Sequence, residues 1–141
     1  MTGEQVQKLV LRFKNKTLPK SEWTHDAHIV VAFWYNWNYN FNEALQLVKD
    51  NIISYNNEVG TKNSDTSGYH ESLTKFWMIL AKNHLLMNEF ESLEGAISSF
   101  LKNISSARDT ALLYYSKEVL FSKKARKKWV NGDLMQIELL Y

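Results

Sequence analysis

Helix breakers are nearly missing from this chain: one proline and five glycines are spread over 141 residues. Runs that alternate apolar and polar residues, the mark of a half-buried strand, are equally scarce. Helices are then the main way left to pair the backbone N–H and C=O groups. The expected fold is all-α, a single bundle of about five to seven helices over residues 1–141. A chain this long buries about two-thirds of its unfolded surface, so neither disulfide nor metal is needed merely to fold.

Spacing places the helices. Val6, Leu9, Val10 and Phe13 give an amphipathic first helix over roughly residues 3–16. Leu18-Pro19-Lys20-Ser21 ends it, and Ser21 or Thr24 caps a second that runs to about Asn38. Asn40 or Asn42 restarts the chain into a third helix, with Ala44, Leu45, Val48 and Ile52 on one face. Glu58 to Gly68 is rich in turn residues and reads as the one clear loop. A fourth helix starts near Tyr69 and runs to Met87, its apolar stripe being Leu73, Trp77, Leu80 and Met87, with His70 and His84 on it. A fifth covers Leu93 to Asn103, and shorter helices follow at Arg108–Tyr115 and Ser122–Trp129. The tail from Leu134 to Tyr141 is expected to pack along the bundle.

Composition excludes several classes. Without cysteine there is no thiol nucleophile, thiolate metal site or disulfide. The longest apolar stretch, Ile29 to Tyr35, is far too short to span a bilayer. The first residues, Met1-Thr2-Gly3-Glu4-Gln5, lack the basic-then-apolar order of a signal peptide. A cytoplasmic protein without a membrane partner is expected. A net charge of +2 gives no argument for nucleic acid.

The chemically unusual residues are concentrated in Trp23-Thr24-His25-Asp26-Ala27-His28 and Gly68-Tyr69-His70-Glu71-Ser72-Leu73-Thr74, each at the start of a long helix. Helices joined by short connections pack antiparallel, so the second and fourth run parallel and begin at the same end of the bundle. His25 and His28 are neighbours on one helix face. His70 heads the stripe of the fourth helix, and Ala32 leaves room beneath them. Three imidazoles and a carboxylate are thereby expected to converge.

Three nitrogen ligands, His25, His28 and His70, with Glu71 as a further ligand or general base, would suit a divalent transition metal such as zinc, iron, nickel or manganese. Such an ion lowers the pKa of bound water toward ~7 and makes a nucleophile for a hydrolase or lyase acting on a small polar molecule. Asp26 would accept a hydrogen bond from an imidazole. Trp23, Asn63, Tyr69, Thr74 and Ser122 are the candidate substrate contacts, and Arg126 is a candidate anchor for an anionic group. His84, alone on an apolar face, reads as a core residue. Without metal, the same residues describe a binding module for a small molecule. The basic run Lys123-Lys124-Ala125-Arg126-Lys127-Lys128 reads as a solvated helical face, with an interaction protein as the alternative.

Three stretches, taken together, resemble a family of small bacterial proteins of unknown function. They are Trp23-Thr24-His25-x-Ala27-His28, then Gly68-Tyr69-His70-Glu71-Ser72-x-Thr74-x-Phe76-Trp77, then Tyr115-Ser116-Lys117-x-x-Leu120-x-Ser122-x-x-Ala125-Arg126-x-x-Trp129-Val130. The resemblance spans most of the chain and brings no activity with it. It implies that Ser122, Arg126 and Trp129 belong with the histidines, through a C-terminal segment folded over the pocket. The chain departs from the pattern at Ser72, where the family has Thr, at Lys117, where it has Arg, and before Asp133, where it has Pro. Metal-dependent four-helix bundles with three histidines on separate helices share only the architecture, which does not give function.

Overall fold

The computed structural model of the protein describes residues 1–104 and 107–140 and, at Ala107 and Arg108, the backbone alone. It is all-helical. The elements in chain order are α1 (Gly3–Lys14), a 3-10 turn (Lys20–Glu22), α2 (His25–Asn38), α3 (Phe41–Glu58) and α4 (Glu71–Met87). They continue with α5 (Leu93–Asn103), α6 (Ala107–Tyr114), α7 (Lys117–Leu120) and α8 (Lys123–Lys127). Among the described residues no helix is long and apolar enough to cross a membrane.

Side-chain caps set most of the helix starts. Thr2 and Gln5 form a reciprocal capping box on α1. Thr24, Asn40, Ser92, Ser116 and Ser122 each accept a backbone N–H at the start of α2, α3, α5, α7 and α8. The cap of α4 is His70, an imidazole where the other caps carry an oxygen.

Helix α2 is the central column. Ala27, Ile29 to Phe33, Tyr35 and Asn36 are all buried, so apolar contacts surround it instead of lying along one stripe. It packs against α1, α3, α4, α5 and α6, while α4 packs against α2, α3, α5 and α8. The first turns of α2 and α4 line one cavity, and farther along Asn36 Nδ2 donates to the Met78 carbonyl at 3.1 Å. The two helices therefore run in the same direction.

Two expectations need correction. The most deeply buried face of α4 carries Ser72, Phe76, Ile79 and Asn83, while Leu73, Trp77 and Leu80 are half-buried and Met87 is 63% exposed. Neighbours on several sides of α4 remove the clean stripe that spacing assumes. The stretch after Tyr115 also holds a further short helix, α7, started by the Ser116 cap. Residues 128–140 then cross α4 without regular structure; Tyr141, the end of the expected tail, lies outside the described residues.

Side chains hold that crossing segment. Ser72 Oγ donates to the Lys128 carbonyl at 2.7 Å and accepts from Val130 N at 2.9 Å. About three turns farther along α4, Asn83 Nδ2 donates to the Glu138 carbonyl and Oδ1 accepts from Leu140 N, both at 2.8 Å. Buried polar groups need such partners, and here the chain backbone supplies them.

Candidate functional site

A cleft of about 400 Å³ opens between the first turns of α2 and α4 and the second half of α3. Its inner wall is apolar: Ile29 and Ala32 from α2, Val48 and Ile52 from α3, and Met78 from α4. All five are buried, and Ala32 is the smallest of them. Polar groups complete the lining: exposed His25, half-buried His28, Tyr69 and Thr74, and buried His70. Asn56, only 6% exposed, adds an amide from α3.

His28 is the best-defined polar group of the cleft. Its Nδ1 lies 2.6 Å from the Thr24 carbonyl, which fixes the proton on Nδ1 and leaves Nε2 as an acceptor. Its ring stacks on Trp23 at 3.7 Å between centroids, and Trp23 stacks in turn on buried Phe13 at 4.5 Å. Desolvation lowers its pKa from 6.5 to about 4; the Thr24 hydrogen bond opposes the shift and His25 adds to it. The imidazole is thus neutral at pH 7, with fixed tautomer and fixed plane.

The three histidines line one cleft but do not make a ligand set. His25 is exposed, with its ring 6.3 Å from that of His28. At His70, Nδ1 accepts from Leu73 N at 3.1 Å, and Nε2 donates to the Leu120 carbonyl at 2.6 Å. Both of its nitrogens are committed to backbone. Among the described residues no three His, Cys, Asp or Glu side chains come together as a metal site. The expectation treated His70 as a first-turn residue aimed inward; it is the cap itself, and capping consumes the lone pair a metal would need. Burial lowers its pKa, the Leu120 carbonyl opposes this and Arg126 reinforces it.

Other expected roles also change. Glu71 does not line the cleft: Oε1 accepts from the Tyr69 hydroxyl at 2.9 Å and lies 3.3 Å from Lys49 Nζ. Burial, reinforced by the Glu71 carboxylate, raises the Tyr69 pKa strongly. Arg126 donates to the Gly68 carbonyl at 2.8 Å, so it braces the loop before α4 instead of waiting for an anion. Ser122 caps α8 and donates to the Val119 carbonyl at 2.7 Å. Asn63 is the hub of the loop, accepting from Asn56 Nδ2 and Tyr69 N at 3.0 Å and donating to the Ile53 carbonyl at 3.2 Å. Asp26 is exposed and makes no hydrogen bond to either neighbouring imidazole. Trp129 stands outside the cleft, with Lys75 Nζ 5.0 Å from its ring centroid.

No family model, curated protein or solved structure matches this chain. The site must therefore be read from its own groups. His28, Trp23, Tyr69 and Thr74 stand where the sequence motifs place them, in the cleft wall. Sequence reasoning did not reach Lys20, Asn56 or Met78. Asn56 carried a signal: it continues the Val48–Ile52 spacing of α3 by one more turn, a polar residue on an apolar stripe.

His84 is packed among aromatic rings, 5.1 Å from Phe90 and 5.3 Å from Phe100 between centroids. Burial lowers its pKa. A backbone hydrogen bond at Ala96 opposes that shift, while Nε2 has no hydrogen-bond partner among the described residues.

Proposed function

We propose that the protein is a binding module for a small molecule with an apolar body and a hydrogen-bond donor. The observation that carries this is the pairing of the apolar cleft with His28, whose tautomer leaves one acceptor nitrogen in its wall. Small-molecule sites combine such walls with a few fixed polar groups, and about 400 Å³ lies within their usual size range. The Phe13–Trp23–His28 stack fixes the acceptor before a ligand arrives, which limits the ordering cost of binding. A metal-dependent hydrolase or lyase fits less well, since capping takes His70 and Tyr69 and Lys49 take Glu71.

The test is a titration of the 15N-labelled protein with indole, phenol and benzene. Indole and phenol are expected to shift amides at the starts of α2 and α4 saturably, with benzene weaker because it donates no hydrogen bond. Ala32→Trp, which fills the inner wall, abolishes these shifts. His28→Phe keeps the stack but weakens indole about tenfold, the equivalent of one hydrogen bond. Shifts scattered over the surface, or unaltered by Ala32→Trp, overturn the proposal. Added zinc or chelator is expected to leave the shifts unchanged.

A further inference from the structure

The charges around the cleft point to a ligand class. Among the described residues the lining holds one ionic side chain, Lys20, and no carboxylate. Lys20 is exposed at the 3-10 turn and takes part in no salt bridge among the described residues. His25, also exposed and in the lining, adds a ring N–H at the same opening. The acids nearest in sequence to these motifs are engaged elsewhere or lie outside the lining. Glu22 is held by Arg12 through two hydrogen bonds of 3.1 and 3.0 Å. Glu71 is engaged by Tyr69 and Lys49, and exposed Asp26 does not line the cleft.

The rest of the lining is largely apolar, with the half-buried indoles of Trp23 and Trp77 and the buried aliphatic groups of Ile29, Val48 and Ile52. A cation at the opening and an aromatic-aliphatic interior are complementary to a molecule with one anionic end and one flat apolar end.

We propose that the cleft takes a small aromatic carboxylate, its carboxylate at Lys20 and His25 and its ring against the inner wall, with a ring N–H or O–H directed to His28. This rests on the binding-module reading and narrows it. Charge-assisted hydrogen bonds favour the anion over its neutral amide, though at a solvent-exposed rim the gain is only about three- to tenfold.

The experiment compares indole-3-acetate with indole-3-acetamide, which differ in charge and hardly in shape, by calorimetry at low salt on the intact protein. Indole-3-acetate is expected to bind three- to tenfold more tightly. Lys20→Gln and His25→Gln, both at exposed positions, should bring the ratio toward one by weakening indole-3-acetate more than indole-3-acetamide. Raising salt to about 0.5 M should do the same in the wild type, because it screens the rim. Equal affinities for acid and amide, or an acid preference that survives both substitutions, overturn the carboxylate proposal alone. If plain indole also fails to bind in a manner sensitive to Ala32→Trp, the binding-module reading falls with it.

Discussion

His70 Nε2 donates to the carbonyl of Leu120 at 2.6 Å, across 50 residues of chain. The same ring caps α4 through Nδ1, so one side chain ties the start of a core helix to the C-terminal third. His70→Ala removes the cap and strands a carbonyl, and should cost about 2–3 kcal/mol. His70→Asn restores the cap alone and should recover about 1 kcal/mol of that. Urea unfolding of the three proteins, with and without chelator, checks both values; a wild-type stability lowered by chelator would contradict the structural role.

Stability should fall as pH drops below about 6.5. An unfolded histidine takes up a proton near 6.5, whereas folded His28 resists until about 4. Between those values the unfolded state binds more protons, and each pH unit removes up to about 1.4 kcal/mol for each such group. His70, also shifted down by burial, acts in the same direction. Urea midpoints at pH 7, 5.5 and 4.5 measure the slope, and His28→Phe should flatten it. Identical slopes for wild type and variant would remove His28 as a source.

Gly60 and Gly68 both have positive φ, at 79° and 77°, yet their substitution should differ sharply. A Cβ on Gly60 meets open space. One on Gly68 would lie 2.5 Å from the Lys62 carbonyl oxygen and 2.6 Å from Asn63 Oδ1. Gly60→Ala should therefore cost only about 1 kcal/mol, the conformational penalty. Gly68→Ala should cost about 2–3 kcal/mol and disturb the Asn63 hub. Thermal unfolding of the pair is the measurement, and equal losses would argue against the tight loop packing.

The segment crossing α4 should loosen when its side-chain partners are removed. Ser72→Ala and Asn83→Ala each delete two hydrogen bonds to its backbone. Each should cost about 1–3 kcal/mol and speed amide exchange at Val130 and Leu140 respectively. Exchange at Val31, in the middle of α2, should follow only the global loss.

The sequence made the helical architecture legible through scarce breakers and Ser, Thr or Asn caps, and it located the cleft through two histidine-bearing helix starts. What it concealed is which job each polar group performs. His70 is buried in the cleft wall as its spacing predicts, but imidazole is a rare cap, and nothing in the sequence shows that both its nitrogens are engaged by backbone. Glu71 and Arg126 read as chemistry because a sequence does not display Tyr69 hydroxyls or Gly68 carbonyls as partners. Lys20 gives no signal in the sequence, and Asn56 only a polar interruption of the α3 stripe, because each enters the cleft from an element outside the two motifs. The stripe on α4 misled because periodicity presumes one solvent face, and several neighbours cover that helix.

The Ser72–Lys128 contact spans 56 residues, and Asn83–Glu138 spans 55. During synthesis, α4 leaves the ribosome well before the strands of backbone that satisfy these two side chains. Until they arrive, the bundle's second column carries a hydroxyl and an amide on what will be its driest side. A fragment that stops short of residue 128 would therefore leave both side chains without the backbone partners that satisfy them, so the packing of α4 depends on chain made more than 50 residues later.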